Sequence, residues 1–439
     1  MGLALIVGLS VTQPSWGQAS GEVPGAPQRG PIALVGGTIH PISGPVIERG
    51  TLLFEDGKIV AVGSRVRIPE GCREVDITGR HVYPGLFESH SHLGLTEWSA
   101  VRATVDSAES GSVNPNVEAH VAVNPDSDLI PVTRANGVLL AVSAPRGGLV
   151  PGRGSVLQLD GWTNSDLALK PVAGLFVNWP RVTPAITLEG AADPRFRGRG
   201  GAGGGGSLEP LEELFDDARA YAAAIDAGDP EQGVDLRLAA MRPVLDREIP
   251  MIVSADGLAE IQSAVTFAAE QKVRLVIFGG YDAPLAAELL KQHEVPVIVS
   301  AVHRVPRRRH DAYDASYTLP QRLQEAGIEF CISGSDRSET WNARNLGYHA
   351  GTAVAYGLSP EDAVRSITLA PARIYGVDDR VGSLEVGKDA TLIITDGNPL
   401  ETETNVEWAF VQGRSVQLTS RHTRLYDKYL EKYRQLDMP

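Results

Sequence analysis

Pro84-Gly85-Leu86-Phe87-Glu88-Ser89-His90-Ser91-His92 is the stretch on which the reading of this chain turns. It is an apolar, strand-like run that ends on two histidines spaced i, i+2. Side chains of an extended chain alternate between faces, so His90 and His92 project together. At the C-terminal mouth of a barrel they can present two imidazole nitrogens to one metal ion. A lone His-x-His is a weak signal, and its surroundings give it weight.

Seven further apolar runs follow it: GVLLAVSAP, SVLQLD, PVAGLFV, PMIVSAD, RLVIFGG, VPVIVSAV and EFCISGSD. With VYPGLFESH that makes eight strands over about residues 82–376. Helical stretches such as LAEIQSAVTFAAEQ and APLAAELLKQH lie between the later ones. Alternation of this kind is the signature of an α/β fold, and eight strands favour a closed (β/α)8 TIM-like barrel over an open sheet. Ser359-Pro360 opens another helix, with Ser as N-cap and Pro in the first turn. Residues 30–81 carry short β-branched runs with turn signals at Gly36-Gly37, Asp56-Gly57 and Gly79, read as hairpins. The same texture returns at 377–419. Neither piece can bury enough surface alone, so the two are expected to form one small β-sandwich built from both chain ends. Residues 196–207 (RGRGGAGGGGSL) read as a glycine linker, not a phosphate loop, because no Gly-Lys-Ser/Thr follows.

Composition narrows the function. The chain has 439 residues, 43% of them hydrophobic, enough for a large core, and its net charge of −14 argues against nucleic-acid binding. The run Arg307–Arg309 is too short to reverse that. No stretch reaches the 18 apolar residues of a membrane span. Cys72 and Cys331 read as two separate buried thiols. Residues 1–29 resemble a signal peptide, with the apolar run LALIVGLS and small residues before Ser20, although no Lys or Arg precedes the run. A periplasmic or secreted location is therefore expected, with a cytoplasmic one as the alternative. The tail 420–439 reads as a helix with Leu425, Tyr429 and Tyr433 on one face. Packing against its own barrel is the favoured fate of that stripe, and pairing in a homo-oligomer the other.

The chain resembles the amidohydrolase superfamily of metal-dependent hydrolases, closest in texture to its imidazolonepropionase-like and prolidase-like branch. The resemblance runs from about Ile32 to Leu418. It rests on Pro84-Gly85 before the His-x-His, on Gly334-Ser335-Asp336 after the last strand, and on the segments 349–377 and 381–399. It implies a divalent metal, usually zinc, and hydrolysis of a C–N bond in a small cyclic amide or peptide-like substrate. On matching positions His90 and His92 are implied as ligands, and Asp336 as ligand and general acid/base. The pattern also asks for histidines at strands five and six. Here IPMIVSADG offers Ser254, Ala255 and Asp256, and RLVIFGGYD offers Gly279 and Gly280. A single zinc on His90, His92 and Asp336 is the set that remains, since catalytic zinc takes about three protein ligands plus water. Asp256, His303 and Glu97 are auxiliary candidates, and Arg146 and Arg153, in the glycine-rich loop after strand two, are candidates for a substrate carboxylate. Two alternatives stand beside this reading: a catalytically degenerate barrel with a binding or assembly role, and a metal-free enzyme with Asp336 or Asp256 as base.

Overall fold

The computed structural model describes residues 23–182, 207–228, 233–334 and 340–436. The N-terminal segment 1–22, most of the glycine linker and Asp336 lie outside the described residues. In chain order the strands are β1 Ile32–Ile39, β2 Ile47–Glu55, β3 Lys58–Gly63, β4 Arg73–Asp76, β5 His81–Pro84, β6 Leu86–Ser91, β7 Val138–Ser143, β8 Gly152–Gln158, β9 Ala168–Asn178, β10 Met251–Ala255, β11 Leu275–Gly279, β12 Val297–Ser300, β13 Phe330–Ser333, β14 Leu392–Thr395, β15 Val406–Val411 and β16 Arg414–Val416.

Both chain ends meet in one sheet, ordered β16-β15-β14-β5-β1-β2-β3, with β4 also on β1. One small β-sandwich domain built from both chain ends was expected, and the two halves do join in one small β domain. They do so as a continuous sheet, because β5 hydrogen-bonds β1 on one edge and β14 on the other. Leu34, Phe54, Ile59, Leu392 and Phe410 pack together in its core. Asp56-Gly57 turns the β2–β3 hairpin as expected, with φ of 48° and 78°, the left-handed pair that a two-residue turn needs. Gly36-Gly37 is not a turn; it lies inside β1 as a bulge.

The eight barrel runs all form strands, in one sheet ordered β6 to β13 in sequence. One of them departs from the expected parallel pattern. β8 runs antiparallel to both β7 and β9, since the links 144–151 and 159–167 are too short for the crossover that a parallel neighbour requires. Its first residues therefore sit at the barrel mouth with the last residues of the other strands. The interior is filled by Phe87, Val142, Val156, Phe176, Ile252, Phe278, Ile298 and Tyr375. Gly154 faces inward on β8, where a Cβ would collide with the Phe176 ring.

No backbone ladder joins β6 to β13 among the described residues, and the barrel closes through side chains instead. Glu88 is fully buried, and its carboxylate accepts from Ser333 Oγ (2.5 Å), the Gly334 amide (2.8 Å) and the His90 amide (3.1 Å). Ser333 Oγ also reaches His90 O at 3.2 Å, and Ser89 Oγ donates to Ile332 O at 3.3 Å. Beneath this seam Phe87 N donates to Ile367 O, and Tyr375 Oη to Ser89 O. Burial pushes the Glu88 carboxyl up to about 7, against the pull of those hydrogen bonds.

Removing the carboxylate strands two buried backbone amides and a hydroxyl. Glu88→Ala is expected to lower the unfolding free energy by about 3 kcal/mol, and Glu88→Gln by clearly less, because it keeps the shape and one acceptor. Urea unfolding monitored by tryptophan fluorescence checks this; equal losses in the two variants would contradict it.

Candidate functional site

His90 and His92 both line a cavity of about 120 Å³ at the mouth, with Arg146, Phe176, Asn178, Ser254 and Phe278 among its walls. Both are buried, at 7% and 5% exposure. Between the pairs Glu88↔Ala141 and Ser91↔Ser143, β6 carries one residue more than β7, a bulge of the kind that re-aims side chains near sites. The two rings end nearly perpendicular, at 74°, with centroids 5.6 Å apart. His92 Nδ1 lies 2.6 Å from Ala144 O. A carbonyl can only accept, so Nδ1 carries the proton and Nε2 keeps the lone pair. The His90 ring stacks on Phe278 at 3.8 Å and 15°, with Phe176 at 5.6 Å.

The inward positions at the ends of β10 and β11 are Ser254 and Phe278, both lining the cavity. Phe278 rather than Gly279 thus occupies the inward position at the end of strand six. Counting the period of two along RLVIFGG from buried Val276 would have found it. Among the described residues no group of three His, Cys, Asp or Glu side chains is placed to hold a metal ion. Asp336, the third residue of the expected set, lies outside them.

The auxiliary candidates are placed elsewhere. Asp256 receives Arg304 Nη2 at 3.0 Å and Arg307 Nη1 at 2.9 Å. Its carboxylate is therefore engaged by two guanidinium groups rather than open toward the cavity. The N-cap of the following helix is Gly257, whose amide donates to the Glu260 carboxylate at 2.7 Å. His303 stacks on His349 at 4.1 Å and contacts Thr352 Oγ1 at 2.7 Å, outside the cavity lining. Glu97 sits on the loop after β6 and does not line the cavity. Arg153 points outward on β8, to Glu118 at 2.8 Å and Asn116 O at 3.3 Å, so strand alternation takes it away from the cavity. Arg146 does face the cavity, and among the described residues its guanidinium makes no hydrogen bond or ion pair.

The comparisons with known proteins agree with this architecture. The amidohydrolase family model matches residues 266–419. The chain is 24% identical to imidazolonepropionase of Mesorhizobium japonicum, over 80% of this chain and 87% of that one. It is 22% identical to amidohydrolase tasK of Hapsidospora irregularis, over 86% of this chain but 41% of that protein, so it spans about two fifths of that relative's length. The crystal structure of an amidohydrolase from Thermotoga maritima superposes with a TM-score of 0.77 at 26% identity, covering 88% of this chain and 99% of that one. The chain belongs to the amidohydrolase superfamily. A prolidase structure with bound N-methylphosphonate-L-proline shares the fold at a TM-score of 0.55 and 18% identity. Within this amidohydrolase no helix of the described residues is long and apolar enough to cross a membrane.

One titration follows from the His303–His349 pair. His349 Nδ1 accepts the amides of Val302 (3.0 Å) and His303 (3.3 Å), and burial, then His303, pulls its pKa down to about 3. Folded pKa below the unfolded value near 6.5 means the unfolded chain binds the proton first. The stabilisation is whole above about pH 6.5 and is lost as pH falls toward 3. Urea midpoints measured between pH 7 and 4.5 are expected to fall with a histidine-dependent slope of up to about 1.4 kcal/mol per pH unit. His349→Ala should be less stable at pH 7 and flatter in pH; an unchanged slope would contradict the assignment.

Proposed function

We propose that this amidohydrolase hydrolyses a carbon–nitrogen bond in a small amide or peptide-like substrate, using a single divalent cation held by His90, His92 and Asp336. The observation that carries the reading is the histidine pair itself. Two imidazoles bound through nitrogen at about 2.0–2.1 Å to one tetrahedral ion have centroids roughly 5 Å apart, close to the 5.6 Å seen. The Ala144 carbonyl fixes His92 in the tautomer such binding needs. The described residues supply two nitrogen donors, so the pair fits a cation while the set depends on Asp336. Nitrogen and carboxylate donors suit zinc.

When bound, such a cation supplies Lewis acidity and makes water nucleophilic near neutral pH. The chain's own groups supply the rest. Asp336 is assigned the proton transfer, from the attacking water to the leaving nitrogen. Phe176 and Phe278 exclude water from one side of the His90 ring and give the cavity apolar walls. The half-buried Arg146 is the cationic group of the lining and suits a substrate carboxylate. A binding role without catalysis is the second reading, favoured by Ser254 and Phe278 in the inward positions where further donors would stand.

Elemental analysis of the purified protein separates the two. About one zinc per chain, lost in His90→Ala/His92→Ala, is the expected result; protein that takes up no zinc, manganese or cobalt on dialysis would remove the hydrolase reading. With an N-acyl amino acid or dipeptide panel, Arg146→Met is expected to raise KM at least tenfold for carboxylate-bearing substrates and leave their amides unaffected. Equal effects on both would reassign Arg146.

A further inference from the structure

The helix Arg421–Gln435 was expected to pack on its own barrel, and it does not. None of its residues is buried, and Leu425, Tyr429 and Tyr433 stand 39%, 50% and 44% exposed on one face. Its start is well made: Ser420 is buried and forms a capping box with Thr423. Beyond that, Arg421 and Arg424 approach Asp128 at 3.6 and 4.0 Å, and Arg421 lies 5.9 Å from the ring of exposed Trp98. A helix of 15 residues is marginal in water without a packed face. This one therefore holds a Tyr/Leu stripe for something else.

Charge decides what that is. The helix carries Arg421, Arg424, Lys428, Lys432 and Arg434 against Asp427 and Glu431, a surplus of three positive charges in a chain of net −14. Lys432 flanks the stripe, near the rings of Tyr429 and Tyr433. Two such helices side by side repel. The barrel rim between residues 97 and 128 has the complementary character. It holds six acidic residues against one arginine, Arg102. It also exposes Trp98, Val101 and Val121, and beside them a concavity of about 350 Å³ lined by Ser99, Ala100, Val105 and Ala108 together with Arg102 and Arg146, whose guanidinium groups suit the faces of tyrosine rings. The helix root already touches this rim at Trp98 and Asp128. A two-fold axis near the root would carry each helix over the rim of the other copy.

We propose that this chain forms a two-fold homodimer in which the C-terminal helix of each copy lies on the acidic, Trp98-bearing rim of the other. The Tyr429 and Tyr433 rings bury against the rim's apolar residues, and Lys428 and Lys432 face Asp106 and Glu109. This inference does not depend on the hydrolase reading, because its readout is mass and not activity.

Sedimentation velocity of the full chain at micromolar concentration tests it. A dimer is expected at low salt, dissociating at least tenfold more readily in 0.5 M NaCl. Tyr429→Glu/Tyr433→Glu should give monomers with an unchanged near-UV circular dichroism signature of the barrel's buried aromatic residues. Lys428→Glu/Lys432→Glu should also weaken the dimer, and adding Asp106→Lys/Glu109→Lys in the same chain should restore it. A full chain that stays monomeric, a dimer that survives the tyrosine substitutions, or a monomer whose helix binds anionic phosphatidylglycerol vesicles would each overturn the proposal.

Discussion

The Glu88 carboxylate is asked to do two things at once. It joins the first and last strands of a barrel that no backbone ladder closes among the described residues, through Ser333 Oγ and the Gly334 amide. It also accepts the amide of His90, while Ser333 Oγ returns to the His90 carbonyl. Closure and the placement of one site histidine are therefore a single hydrogen-bonded arrangement. Burying a carboxylate is costly, and three donors offset part of that cost without removing it, as the upward shift of its pKa records. An apolar residue here would pack more cheaply but would leave the seam's amides without acceptors.

The reversed strand β8 shapes the other side of the site. Short links on both of its ends leave residues 144–151 as a tight mouth loop rather than the start of a crossover helix. That loop delivers the Ala144 carbonyl to His92 and the Arg146 side chain to the cavity. Reversal also sets which β8 residues look inward. Gly154 does, and its missing Cβ admits the Phe176 ring beside His90, whereas Arg153 turns out to Glu118.

How much of this was legible in the sequence follows from the range of each interaction. All eight barrel strands could be read because an apolar run is a local signal. Their direction could not, since such a run looks the same from either end; the short links around β8 were the available clue. Phe278 and Ser254 were legible from strand alternation, which counts inward positions without any partner. Glu88 was not, because its partners Ser333 and Gly334 lie some 245 residues away. The pairing of Asp256 was hidden for the same reason, its arginines arriving from the loop after β12. The stripe on the C-terminal helix was plain in its spacing, but spacing does not tell whether a partner face lies within the same chain.

The arginine cluster has a consequence for how a substrate reaches the histidines. Two residues beyond Ser254, Asp256 is clamped by Arg304 and Arg307, and Arg304 Nη1 also donates to Ser300 Oγ at 2.7 Å. Arg308 adds a bridge from the same loop to Asp282 and to Asp311, the latter at 3.1 Å. Breaking a buried pair of this kind strands a charge and costs several kcal/mol. Charge pairing thus ties the loop after β12 to the residues that follow β10 and β11. The half of the mouth over β6–β9 is bounded by the 144–151 loop, which is tied to Ser107 and Ser112 by backbone hydrogen bonds and is followed on β8 by the Arg153–Glu118 pair, while the Arg146 side chain faces the cavity. Under the proposed reading, a molecule entering over that loop would meet the guanidinium of Arg146 beside the histidine pair, since both line the same cavity.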